Sequence, residues 1–112
     1  MSFDLEMRRL QAEAWQNSED HGFHQGPTGI LPSEKIALIH SELSEALEAL
    51  REGDGRKSSS KIPDYLAVTE ELADAVIRIL DLAGILNLDL SGAIIAKMEY
   101  NKRRPFKHGK NF

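Results

Sequence analysis

Between residues 72 and 86 the chain carries Leu72, Ala73, Ala75, Val76, Ile77, Ile79, Leu80, Leu82, Ala83, Ile85 and Leu86, which together cover most of a helix circumference. A helix that is apolar nearly all round needs neighbours on nearly every side, so it belongs at the centre of a fold. Its polar residues (Glu70, Glu71, Asp74, Arg78 and Asp81) form one narrow strip. That strip must face either solvent or an internal polar site.

Three further segments read as helices. Residues 3–20 place Phe3, Met7, Leu10 and Ala14 on one stripe with the 3.6-residue period. A Gly/Pro loop over residues 21–32 leads to a second helix, expected to start at Ser33 as N-cap and to stop at Gly53. Residues 53–63 read as a mobile connection into the central helix, which is expected over 64–86. A fourth helix should run from Asp89, an N-cap, to Arg103, just before Pro105. With no convincing strand, the fold class is all-α: a four-helix bundle in one domain over residues 1–112, with a basic tail from 103. Three partner helices in so short a chain cover the central helix poorly. A homodimer or homotetramer sharing helices is therefore expected.

Two acidic steps of equal spacing fall on these helices, Glu42-x-x-Glu45 on the second and Glu71-x-x-Asp74 on the third. Residues three apart lie about 60° around a helix, so each pair projects to one side. The second helix is expected to bury Ile36, Ile39, Leu43, Ala46, Leu47 and Leu50. Glu42 projects into that arc, between Leu38, Ile39, Ala46 and Ala49, while Glu45 sits at its edge. A bare carboxylate on an apolar face costs several kcal/mol, roughly, or forces protonation. Packed together, the two helices would bring Glu42, Glu45, Glu71 and Asp74 to one point, where repulsion calls for a cation. Oxygen-only ligands suit Mg²⁺, with Mn²⁺ as the alternative. The competing reading is a solvated acidic face ion-paired through Arg78.

The charge distribution is divided. Residues 1–96 hold 8 Lys/Arg against 17 Asp/Glu, a balance of −9, and residues 97–112 hold 6 against 1, a balance of +5. On the fourth helix, Lys97, Asn101 and Arg104 continue the stripe begun by Leu90 and Ile94, an arrangement suited to phosphate oxygens. A helix C-terminus also attracts Lys and Arg through its dipole, which accounts for part of this pattern. The absence of cysteine excludes disulfides, zinc-thiolate sites and thiol catalysis. No E-x-x-H step, Walker loop, GxGxxG, HExxH or DNA-binding signature is present, so neither a ferritin-like centre nor a nucleic-acid partner is expected. The apolar runs are too short for a membrane span and the start lacks a signal-peptide pattern, which makes a cytoplasmic protein the expectation. His40, on the core side of the second helix, reads as a packed histidine.

The strings HSELSEALEALREG and EELADAVIRILDLAG, followed by KMEYNKRRPFKHGK, resemble the MazG-type all-α nucleoside triphosphate pyrophosphatases. That family's signature is E-x-x-E on one helix and E-x-x-D on the next, here ELSE at 42–45 and ELAD at 71–74. The resemblance covers roughly residues 20–110. It implies Mg²⁺ on Glu42, Glu45, Glu71 and Asp74, and hydrolysis of a nucleoside triphosphate to the monophosphate and pyrophosphate. FHQ at 23–25 is similar to the branch that includes dCTP pyrophosphatases, which makes His24 a substrate contact by resemblance. Lys97 and Asn101 match substrate-meeting positions of the closing segment, and Arg104 would neutralise pyrophosphate beside Lys97. Arg78 stands where that branch tends to carry an aromatic residue. Glu45, nearer solvent than Glu42, is the expected activator of water. A dUTPase-like or phosphoribosyl-ATP-type hydrolase on the same scaffold, or a non-enzymatic helical adaptor, are the alternatives.

Overall fold

The computed structural model describes residues 2–26 and 30–111, so residues 27–29 of the Gly/Pro loop lie outside the described residues. Its elements are α1 (Phe3–Asp20), α2 (Pro32–Arg51), α3 (Ala67–Ile85) and α4 (Leu90–Lys102), with short 3₁₀ turns at Gly53–Gly55 and Phe106–Gly109. No strand occurs among the described residues, apart from one isolated bridge between Ser58 and Leu66.

Local chemistry sets each boundary. At α1 the Ser2 hydroxyl accepts from the Leu5 amide at 3.2 Å, with Asp4 and Glu6 in the first turn against the helix dipole. The start of α2 differs from expectation. It begins at Pro32, with Leu31 rather than Ser33 as the cap residue. Proline's fixed φ suits the first helical position, and the residue before it must stay extended, as Leu31 does at φ −110°, ψ 109°.

The third helix starts at Ala67 rather than 64 because the preceding connection is itself folded. The Ser59 amide donates to the Tyr65 carbonyl at 2.9 Å, and the Ala67 amide donates to the Lys57 carbonyl at 2.8 Å. The buried Ser59 hydroxyl accepts from the Lys61 and Ile62 amides and donates to Glu70 on α3. The expected mobile connection is therefore a closed loop, held by backbone pairing that its serine-rich composition concealed. At the other end of α3, Asn87 adopts φ +55°. The Leu88 amide reaches the Ala83 carbonyl and the Asn87 amide reaches that of Gly84, the double closure of a Schellman motif. After this turn the chain leaves at 116° to α3, and Asp89 caps α4 by accepting from the Gly92 amide at 3.0 Å.

As expected, α3 is central: α2 packs along one side and α1 along another. Gly84 allows the closest approach, since a Cβ there would lie 3.0 Å from Cβ of Trp15. α4 touches mainly α1, through Ser91 to Asp4 and Arg8 to Asp89. The buried apolar core is small: Ala14, Ile39, Ala46, Ala75, Leu80, Leu82 and Ala83. Much of the expected core is exposed instead. Phe3 and Leu10 on α1, Ile36, Leu43, Leu47 and Leu50 on α2, and Leu72, Val76 and Ile77 on α3 all lie open, and His40 is exposed rather than packed. The physical reason is a shortage of partners within one chain. The accessible surface is 8422 Å² for 12.5 kDa, against about 6,200 Å² for a compact monomer of that mass. The radius of gyration is 16.4 Å, where about 13 Å is typical of this length. Among the described residues no single helix is long and apolar enough to cross a membrane.

Candidate metal centre

The acidic steps meet where α2 lies along α3. Glu42, Glu71 and Asp74 each bring a carboxylate oxygen within 4.8 Å of the others, and all three are half-buried. Burial raises the Glu71 carboxyl above its usual range, and the charges of Glu70, Asp74, Glu42 and Glu45 push it further. Asp74 is likewise raised, first by burial and then by Glu42 and Glu70, with Lys61 and Arg78 pulling the other way. The charged forms of Glu71 and Asp74 are thus held at a cost to the fold, which a cation would remove.

Glu45, the fourth expected ligand, is exposed and lies outside this trio, although its charge is felt at Glu71. The polar strip of α3 therefore faces an internal site, and the ion-paired alternative is realised in part. Arg78 Nε donates to Glu42 Oε1 at 2.9 Å, with the Glu42 side chain 15% exposed. One guanidinium does not balance three clustered carboxylates with Glu70 and Glu45 beside them. The donor set fits a hard divalent ion.

Beside the trio opens a cavity of about 390 Å³. Glu42, Asp74 and Arg78 form one wall, and Lys35, Lys61, Asn17, Ser18, Phe23, Ile77 and Asp81 contribute to the rest. Lys35 is tethered, its ammonium donating to the Phe23 carbonyl at 2.8 Å. His24 occupies a different position from an open substrate contact. Its side chain is 4% exposed, with Nδ1 2.6 Å from Glu19 Oε2 and Nε2 2.8 Å from Asp81 Oδ1. Trp15 packs against its ring at 5.2 Å between centroids, tilted by 44°. Both ring nitrogens are engaged, so His24 reaches the cavity only through Asp81, whose second oxygen accepts from the Ser18 hydroxyl at 2.8 Å.

The remaining candidates sit elsewhere. Lys97 and Asn101 on α4, and Arg104 just past its end, do not line this cavity. Lys97 and Arg104 instead flank the Tyr100 ring, at 4.5 and 5.6 Å from its centroid, and Asn101 Oδ1 is buried without a partner among the described residues. Sequence reasoning missed Lys35 and Lys61. Lys35 lies seven residues before Glu42, so helical spacing could have placed it on that stripe. Lys61 left no signal, because only the folded connection brings it to the carboxylates.

The fold and the site define an all-α domain with an acidic pocket between two helices and a cation-bordered cavity beside it. The chain is 32% identical over 101 residues to human dCTP pyrophosphatase 1, and 31% identical to the rat and mouse proteins of the same name. Each match covers 88% of this chain and 56% of the relative, so the chain spans little more than half the length of these proteins. No protein-family model matches it, and no solved structure matches it significantly. Over most of its own length the chain is thus similar to the dCTP pyrophosphatase 1 proteins.

Proposed function

We propose that this chain hydrolyses a nucleoside triphosphate to the monophosphate and pyrophosphate, using a divalent ion, Mg²⁺ or Mn²⁺, held by Glu42, Glu71 and Asp74. The observation that carries the reading is the trio of half-buried carboxylates, two of which (Glu42 and Asp74) line a cavity that also presents Lys35, Lys61 and Arg78. Acidic and basic groups at one opening fit a ligand that is anionic but arrives with metal. The relatives' name supports a triphosphate as that ligand.

When bound, the ion would supply charge neutralisation for the triphosphate and acidify a water. The chain's own groups do the rest. Glu45, exposed at the edge of the trio, takes the proton from the water as its oxygen attacks the α-phosphorus. The bond from that phosphorus to the bridging oxygen breaks, and pyrophosphate leaves. Lys61 and Lys35 offset charge on the phosphates from the cavity wall, and His24 holds Asp81 and the loop in place. Lys97, Asn101 and Arg104 remain candidates for substrate contact at a site completed by assembly. The exposed arcs of α2 and α3, with surface about 2,200 Å² beyond that of a compact monomer, support a homodimer or homotetramer. Removal of misused or damaged nucleotides from the cellular pool is the role that fits this reaction.

The test is pyrophosphate release from a panel of canonical and damaged nucleoside triphosphates with and without Mg²⁺, headed by dCTP. Metal-dependent release from one or a few of them is expected. A folded protein that neither releases pyrophosphate nor gains thermal stability from Mg²⁺ refutes the reading in favour of a non-enzymatic adaptor. Light scattering that finds a stable monomer at micromolar concentration refutes the assembly.

A further inference from the structure

Arg78 has two features that the proposed reaction leaves unused. It is the side chain that contacts a member of the carboxylate trio, Nε to Glu42 Oε1 at 2.9 Å, and it also lines the adjoining cavity. It stands one helical turn beyond Asp74, so Arg78 and Asp74 share a face of α3 and meet Glu42 from the same side. The guanidinium donates to one oxygen of Glu42, Oε1, and an ion would bind the same carboxylate. A divalent ion on that carboxylate lies close enough to the guanidinium for strong repulsion between the two cations.

Resting on the metal-site reading above, we propose that Arg78 is an exchangeable counter-cation of the centre. It pairs with Glu42 Oε1 when no ion is bound, is displaced by repulsion when the ion enters, and then faces the cavity that receives the anionic ligand. Two consequences follow from the geometry. Metal binding by the free protein is weakened by the need to break the Arg78–Glu42 pair. Release frees the Arg78 guanidinium, already on the cavity wall with Lys35 and Lys61, from the charge of Glu42. Arg78 is thus a positioning residue for Glu42 in one state and a ligand-facing cation in the other.

A general effect of positive charge near the centre would look similar, and Lys61 separates the two. Lys61 makes no side-chain hydrogen bond or ion pair among the described residues, yet its charge acts on Asp74 more strongly than that of Arg78. If only the local field matters, removing Lys61 should help metal binding at least as much as removing Arg78. If exchange at Glu42 matters, Arg78 should dominate.

The experiment measures Mn²⁺ affinity by electron paramagnetic resonance for wild type, Arg78→Gln and Lys61→Gln, without nucleotide, after circular dichroism has confirmed helicity. Arg78→Gln is expected to tighten Mn²⁺ binding about tenfold, as the loss of one charge-assisted, part-buried pair implies, and Lys61→Gln less than about threefold. Equal effects of the two substitutions, or no tightening by Arg78→Gln, overturn the proposal while leaving the metal site standing. Absence of Mn²⁺ binding in all three proteins overturns the metal-site reading itself. A second readout needs no variant. The Nε–H resonance of Arg78 in ¹⁵N-labelled wild type should move from a paired to a solvent-exchanging position on saturation with Mg²⁺. A resonance that stays paired with Glu42 in the Mg²⁺-saturated protein overturns the exchange.

Discussion

Replacing Asp74 by Asn should stabilise the metal-free protein and abolish its response to metal. Two unit charges 4.8 Å apart, the limit within the trio, repel by about 3.5 kcal/mol at an effective dielectric of 20 and by ~0.9 kcal/mol in bulk water. Lys61 and Arg78 offset part of this at Asp74, but burial and the neighbouring acids prevail, since its carboxyl is raised above the ordinary 3.8. A net gain of about 1 kcal/mol is therefore expected for Asp74→Asn, or roughly 3–6 °C in Tm for a domain of this size. The pH dependence has a definite sign. A carboxyl whose folded pKa is raised contributes full stability below its unfolded value, and that contribution is lost as pH rises through the folded one. The advantage of the Asn variant should thus vanish below about pH 4 and grow above it. In wild type, Mg²⁺ at ten times its Kd should return about 1.4 kcal/mol, and in Asp74→Asn almost none. Scanning calorimetry from pH 3.5 to 7.5, with and without Mg²⁺, measures both effects. A variant less stable than wild type at pH 7 without metal, or one that still gains several degrees from Mg²⁺, refutes the reasoning.

Glu45→Gln should lower turnover by about a hundredfold or more, the usual contribution of a general base, while Mn²⁺ affinity changes only a few fold because Glu45 lies outside the trio. An equal loss in both would make it a ligand instead. Asp81→Ala should cost about 3 kcal/mol in urea denaturation, because it strips the buried His24 ring and the half-buried Ser18 hydroxyl of their shared partner. A loss under about 0.5 kcal/mol would show that this network holds little. Gly84→Ala gains about 1 kcal/mol of helix propensity, but its methyl would meet Trp15 Cβ at 3.0 Å. The α1–α3 contact should give way and net stability should fall, and a higher Tm would show that Trp15 can yield.

How much of this was legible in the sequence depends on which residues set each feature. The four helices and the central place of α3 follow from periodicity and apolar circumference, which are local. The meeting of Glu42 with Glu71 and Asp74 was also readable, because an acid within an apolar arc is expensive anywhere except at a polar site. Periodicity does not say which molecule covers an apolar face. Leu43, Leu47 and Leu50 share a stripe as expected, yet the described residues leave each of them about half exposed. The start of α3 was misplaced for a similar reason. Ser59 reaches across to Glu70 and the backbone of residues 57–67 closes on itself, and these pairings are invisible in a run of small polar residues.

The fourth helix carries the most consequential difference. Lys97 and Asn101 are spaced along one stripe of α4, with Arg104 just past its end, but a stripe has a direction in space only when the preceding turn is known. Here the turn is the Schellman closure at Asn87, and the 116° change of course carries the basic end of α4 away from the α2–α3 groove of its own chain. The cations that border the carboxylates are instead Lys61, delivered by the closed connection, Lys35, seven residues before Glu42, and Arg78, one turn after Asp74. A concentration of like charge on a central helix persists because its strip opens on a cavity with opposite charge at hand. Within the chain that charge comes from short-range neighbours of the acidic steps, not from the basic tail that dominates the charge map of the sequence.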